Sequence, residues 1–168
     1  DYRSGMLDAE LQALARSVGF RYVATGHELA PSIGYLARAS TVALDAYLTP
    51  LLRQYVEKLA AELPGCRLLL MQSSGGLCER ERFRGAASVL SGPAGGAEAL
   101  AAIARSAGLR HAVGFDMGGT STDVTRVTDG TLSRVYESQI GGAHIAAPMV
   151  AVHTVAAGGG SICRFDGE

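Results

Sequence analysis

The stretch Phe115-Asp-Met-Gly-Gly-Thr-Ser-Thr-Asp-Val124 decides how this chain is read. An apolar run over 111–115 ends in Asp116, a glycine pair follows at Gly118 and Gly119, and Thr120, Ser121 and Thr122 lead to a second acid, Asp123. The pattern predicts a strand over 111–115, a tight turn over 116–120 and a second strand over 121–128. Glycines let a backbone approach an anion closely, successive amides and hydroxyls donate to its oxygens, and carboxylates hold a hard cation or its waters. The stretch therefore has what a phosphate-binding hairpin needs. An ordinary β-turn with local Asp and Thr hydrogen bonds is the competing reading. Two acids flanking a hydroxyl-rich turn favour the phosphate hairpin.

Strands and helices extend from this hairpin in both directions. Asp129-Gly130 signals a further hairpin, with a strand near 132–136 and another over 149–155 that runs into Gly158-Gly-Gly-Ser161. Upstream, Ser91-Gly-Pro-Ala-Gly-Gly-Ala-Glu98 opens an Ala-rich helix to about residue 107, with Ser91 or Gly92 as cap and Pro93 in its first turn. The run 67–72 reads as a strand buried on both faces of a parallel sheet, closed by Ser73-Ser-Gly-Gly76, and 79–84 as a solvated loop or edge. Residues 35–63 carry an apolar stripe of Leu44, Leu48, Leu51, Leu52, Tyr55, Val56 and Leu59, in which Pro50 should kink or divide the helix. A short helix over 7–18 and a strand over 20–24 precede it. The class is α/β, a mixed sheet with flanking helices.

Composition bounds the function. The 168 residues are 48% hydrophobic with mean hydropathy +0.17, enough for one compact domain or two small ones and not a disordered tail. Fifteen basic and 16 acidic residues give a net charge of -1, so there is no basic footprint for nucleic acid. No run reaches the roughly 20 apolar residues of a membrane span, and a soluble, cytoplasmic chain is expected. Cys66, Cys78 and Cys163 match no disulfide framework, and the spacings of His144, His153 and Cys163 match no closed zinc site. Of the 22 glycines, ten gather in four clusters, at 75–76, 92–96, 118–119 and 158–160, beside predicted strand ends and helix starts. The opening Asp-Tyr-Arg-Ser lacks an initiator Met, and the chain is expected to be a central piece of something longer.

Four motifs in order, Met71-Gln-Ser-Ser-Gly-Gly-Leu77, Leu90-Ser-Gly-Pro-Ala-Gly-Gly96, the hairpin and His153-Thr-Val-Ala-Ala-Gly-Gly-Gly-Ser-Ile162, make the chain resemble the hydantoinase A/5-oxoprolinase family, which includes acetone and acetophenone carboxylase subunits. Gly26-His-Glu-Leu-Ala-Pro31 and Arg38-Ala-Ser-Thr-Val-Ala-Leu-Asp-Ala-Tyr-Leu48 extend the resemblance over most of the chain. It implies an RNase-H-like, actin-like ATPase with two similar halves, each offering one phosphate hairpin. Residues 1–90 would end the first half, and 91–168 would begin the second.

The resemblance further implies that ATP phosphorylates a cyclic amide oxygen before water opens the ring. The ketone carboxylases would instead phosphorylate an enol or bicarbonate, and a catalytically silent nucleotide-binding module is a third reading. Asp116 would orient Mg2+ or the attacking group, Asp123 would hold a magnesium water, and Gly118, Gly119, Thr120, Ser121 and Thr122 would cradle the β/γ-phosphates. Gly158, Gly159 and Gly160, with Ser161, suit close backbone approach to the nucleotide, the N-terminus of a following helix, or a flexible turn. His153 is an acid/base or ligand candidate, or a hydrogen-bonded structural histidine. Ala151 stands where the family carries an acid, and Ser74 where it carries Asn. A companion hydantoinase B-type subunit is the expected partner. With one hairpin only, the isolated chain is expected not to hydrolyse ATP.

Overall fold

The computed structural model describes residues 4–165 and 167. Three helices lead the chain: α1 (Met6–Ser17), the single turn α2 (Gly26–Leu29) and α3 (Tyr35–Glu62). A hairpin of β1 (Leu69–Met71) and β2 (Leu77–Glu79) follows, then α4 (Ser91–Ser106). The rest is strand: β3 (Ala112–Met117), β4 (Thr122–Thr128), β5 (Thr131–Leu132), β6 (Arg134–Val135), β7 (Ser138–Ile140), β8 (Ala143–Ile145), β9 (Met149–Val150) and β10 (Val152–Val155).

The central sheet has the order β10-β4-β3, with β5 also on β4, and all its pairings are antiparallel. Asp129 and Gly130 both take positive φ, 51° and 74°, giving the primed turn expected between β4 and β5. Against one face of this sheet lies α4. Its Ala94, Ala97, Ala101 and Ala104 are buried with Val127, Leu132 and Val150. Side chains no larger than a methyl let the helix approach the strands closely.

A second contact ties α3 to the other end of the chain. Ile145, Ala147 and Met149 bury together with Leu44 and Leu90 packed on them, and the Ala146 amide donates to Thr41 Oγ1 at 2.8 Å. Thr41, Asp45 and Thr49 lie one helical turn apart and are all 0% exposed. Asp45 Oδ1 accepts from Thr49 Oγ1 at 3.0 Å and from the Ala86 amide at 3.0 Å, Thr49 Oγ1 accepts from the Gly85 amide at 2.8 Å, and the Tyr22 hydroxyl donates to Asp45 Oδ2. Arg84 in turn donates to the Tyr22 hydroxyl at 2.8 Å.

Several elements differ from expectation. Residues 20–24 form no strand; Tyr22 is used for its hydroxyl instead. The long helix runs unbroken through Pro50, fixed by Thr41, Asp45 and Thr49 before the proline and by buried Val56 after it. Its buried face is this polar column, while Leu51 and Tyr55 of the apolar stripe are exposed. The 69–71 strand is antiparallel, because Gly75 at φ +86° and the Gln72 N–H to Gly76 carbonyl bond fold the chain back onto β2. Leu90, in the left-handed region, caps α4 in place of Ser91 or Gly92. The 149–155 strand is split at Ala151, whose amide donates to Ser133 O, and β7–β8 is a hairpin the pattern did not announce.

The polar column yields two expectations. Asp45→Ala strands the Ala86 amide and the Tyr22 and Thr49 hydroxyls, and should cost at least about 2 kcal/mol in urea unfolding. Burial, then donation to Asp45, raises the Tyr22 pKa above its ordinary value. Its stabilising contribution is therefore complete below the unfolded value of about 10 and is lost as pH rises through the higher folded value. Wild-type stability should fall in that alkaline window, and Tyr22→Phe should remove that part of the fall.

Candidate phosphate-binding site

The hairpin is longer than its sequence suggested. Asp116 and Met117 still belong to β3, so only 118–121 form the turn, closed by the Gly118 amide donating to Ser121 O at 2.9 Å. Cross-strand register sets Asp116 opposite Asp123. Both acids project toward α4. Asp116 Oδ2 is 3.8 Å from where a Cβ on Gly96 would stand, and both acids line a cleft of about 250 Å3 with Pro93, Gly96 and Ala97. Asp123 Oδ1 accepts from Thr154 Oγ1 at 2.6 Å. Thr154 lies opposite Asp123 in the β10–β4 register, a partnership visible in sequence only once that pairing is known.

The triple glycine is brought directly onto the turn. Gly159 N–H donates to Gly118 O and Gly160 N–H to Gly119 O, each at 2.9 Å. A Cβ on Gly158 would stand 2.6 Å from Gly119 C and 2.7 Å from the carbonyl oxygens of Gly118 and Gly119. Thr122 Oγ1 donates to Ala157 O at 2.6 Å, and Ser161 Oγ accepts from the Gly158 amide at 2.9 Å, closing the loop on itself. Among the described residues, the amides of Gly119, Thr120 and Ser121 donate to no protein acceptor.

Each peptide's C=O and N–H point in opposite directions when the bond is trans, and no described peptide is cis. With the Gly118 and Gly119 carbonyls turned to the triple glycine, the amides of Gly119 and Thr120 face the other way. They form two successive donors without partners, beside the exposed side chain of Thr120.

His153 is not brought to the acids. It pairs with Val124, one register step from the Thr154–Asp123 pair, so alternation puts it on the opposite sheet face. There it lines a separate cleft of about 430 Å3 with Arg126, Glu137 and Ser138.

Residues 38–168 match the hydantoinase/oxoprolinase family. The chain is 42% identical over 166 residues to 5-oxoprolinase 1 of Arabidopsis thaliana, covering 94% of this chain and 13% of that protein. It is 36% identical over 151 residues to caprolactamase subunit alpha of Pseudomonas jessenii, covering 86% of this chain and 22% of that one. The crystal structure of the ATP-dependent caprolactamase from that organism superposes with a TM-score of 0.85 at 32% identity, over 99% of this chain and 25% of that one. A nucleotide-free acetone carboxylase, TM-score 0.79 at 23% identity over 99% of this chain and 25% of that one, shares the fold. The chain thus spans a small part of each relative's length, and no helix among its described residues is long and apolar enough to cross a membrane. A mixed α/β fold shared with these ATP-dependent enzymes, together with the family match, shows that this chain belongs to the hydantoinase/oxoprolinase family.

Proposed function

We propose that this chain supplies a phosphate grip of an ATP-dependent hydrolase that opens cyclic amides of the 5-oxoproline or lactam type. One observation carries the reading: the turn at 118–121 presents partnerless amides and hydroxyls next to two facing carboxylates. The amides of Gly119 and Thr120 and the hydroxyls of Thr120 and Ser121 would donate to β/γ-phosphate oxygens, whereas the Thr122 hydroxyl is already engaged by Ala157. Phosphoryl transfer depends mainly on positioning and on neutralising charge, and donors fixed before binding supply both.

The donor set at the acids fits Mg2+. Asp116 and Asp123 are hard oxygen donors directly opposite each other on one sheet face, an arrangement that repels unless a cation lies near. Asp116 would be the carboxylate available to the ion, and Asp123, steadied by Thr154, would hold one of its waters. When bound, Mg2+ offsets the negative charge of the phosphates.

The ring substrate, a companion hydantoinase B-type subunit and a cytoplasmic location complete the proposal; the alpha-subunit name of the caprolactamase relative supports the companion. The proposal also divides the chain near residue 90, between the end of one actin-like half (1–90) and the start of the next (91–168). The likeness to 5-oxoprolinase and caprolactamase sequences favours amide hydrolysis over ketone carboxylation, since the acetone carboxylase likeness is one of fold. Within this proposal His153 acts away from the acids, from the other face of the sheet.

In the complete protein, Asp116→Ala should abolish ATP-dependent turnover of 5-oxoproline, hydantoin or caprolactam with the circular dichroism spectrum retained. Undiminished turnover would sink the assignment, and ATP consumption stimulated by acetone plus bicarbonate alone would favour the carboxylase reading. The purified 168-residue chain should show no ATP turnover, since it contains one phosphate hairpin; steady hydrolysis would contradict that.

A further inference from the structure

From the backbone contacts at the turn, we infer that the triple glycine at 158–160 is a brace that fixes the direction of the hairpin's peptides and does not itself touch the nucleotide. The inference rests on the phosphate-grip reading and assigns Gly158 as its positioning residue. Two amides of the loop, Gly159 and Gly160, are consumed by the carbonyls of Gly118 and Gly119. Those same carbonyls belong to the peptides whose N–H groups come from Gly119 and Thr120, so holding the oxygens on one side aims the hydrogens to the other. Without the brace, those two peptides would be free to flip, and a phosphate would meet carbonyl oxygens as often as amides.

The requirement for glycine here is one of space. None of the three glycines takes a positive φ, so any residue could adopt their backbone conformation. What differs is clearance to the turn: a Cβ would come to 2.6 Å of hairpin backbone at Gly158, 3.0 Å at Gly160 and 3.8 Å at Gly159. The neighbours at Gly158 and Gly160 are backbone atoms, which cannot swing aside as a side-chain tip can. Two flanking bonds hold the loop in place, from Thr122 Oγ1 to Ala157 O and from the Gly158 amide to Ser161 Oγ.

The test is a graded series of alanine variants in the complete protein, read by calorimetric binding of a non-hydrolysable ATP analogue with Mg2+. Gly158→Ala should weaken binding most, about ten- to a hundred-fold for the loss of a charge-assisted hydrogen bond. Gly160→Ala should fall between, and Gly159→Ala should be the mildest. Thr122→Val should also weaken binding, and Thr122→Ser, which keeps the hydroxyl, should restore it. That rescue covers the case in which Gly158→Ala does not fold, and it separates positioning from general destabilisation. Equal losses at all three glycines, or the largest loss at Gly159, would mean that the loop contacts the nucleotide directly and would overturn the brace. A wild-type protein that binds no nucleotide would overturn the phosphate-grip reading and the brace with it.

Discussion

The site depends on backbone stacked against backbone. The triple glycine lies against the turn at 118–119 with the Gly159 and Gly160 amides on the turn's carbonyls, at a separation that leaves no room for a Cβ at 158. Side chains placed between the two loops would push them apart, and a turn left unbraced would have two peptides of undefined direction. Glycine is used here for absence of bulk, where at Gly75 and Gly130 it is used for positive φ. The same residue type thus solves two different problems in one chain.

This stack is held by a frame built on similar economy of size. The alanine face of α4 brings the helix close to β4, and its early residues Pro93, Gly96 and Ala97 line the cleft of Asp116 and Asp123. On the other side, Asp45 and Thr49 of α3 hold the backbone of residues 85–86, and the next residue, Ala87, accepts from both the amide and the hydroxyl of Ser73. Ser73 O then receives the Val150 amide, at the strand just before β10. These hydrogen bonds therefore join the long helix to β9, from which the chain passes through Ala151 into β10, the strand that carries Thr154 and leads into the triple glycine.

Much of this was legible in the residues. The helices at 6–17 and 91–106 and the β3–β4–β5 meander follow from local periodicity and turn chemistry, and Asp129-Gly130 forms the turn its residues announce. What local pattern could not show was pairing. Asp116 and Asp123 were recognisable as acids flanking a turn, but only register puts them face to face, links Thr154 to Asp123 and sends His153 to the opposite face. The polar column of α3 was hidden because the apolar stripe was the feature that periodicity brought out, and Thr41, Asp45 and Thr49 lie outside it. It is buried because loop amides from residues distant in sequence complete its hydrogen bonds. The glycines at 158–160 were read as approaching a ligand, and the structure brings them onto the turn itself.

The proposed nucleotide use has its physical reason in the turn: donors aimed outward because their carbonyls are tied inward. That central claim is most directly tested by amide NMR of the complete protein, 15N-labelled selectively at glycine and threonine, on addition of a non-hydrolysable ATP analogue with Mg2+. The account predicts large shifts at the Gly119 and Thr120 amides and only small ones at Gly159 and Gly160, whose protons stay on the turn carbonyls. Large shifts at Gly159 and Gly160 with Gly119 and Thr120 unmoved would contradict it.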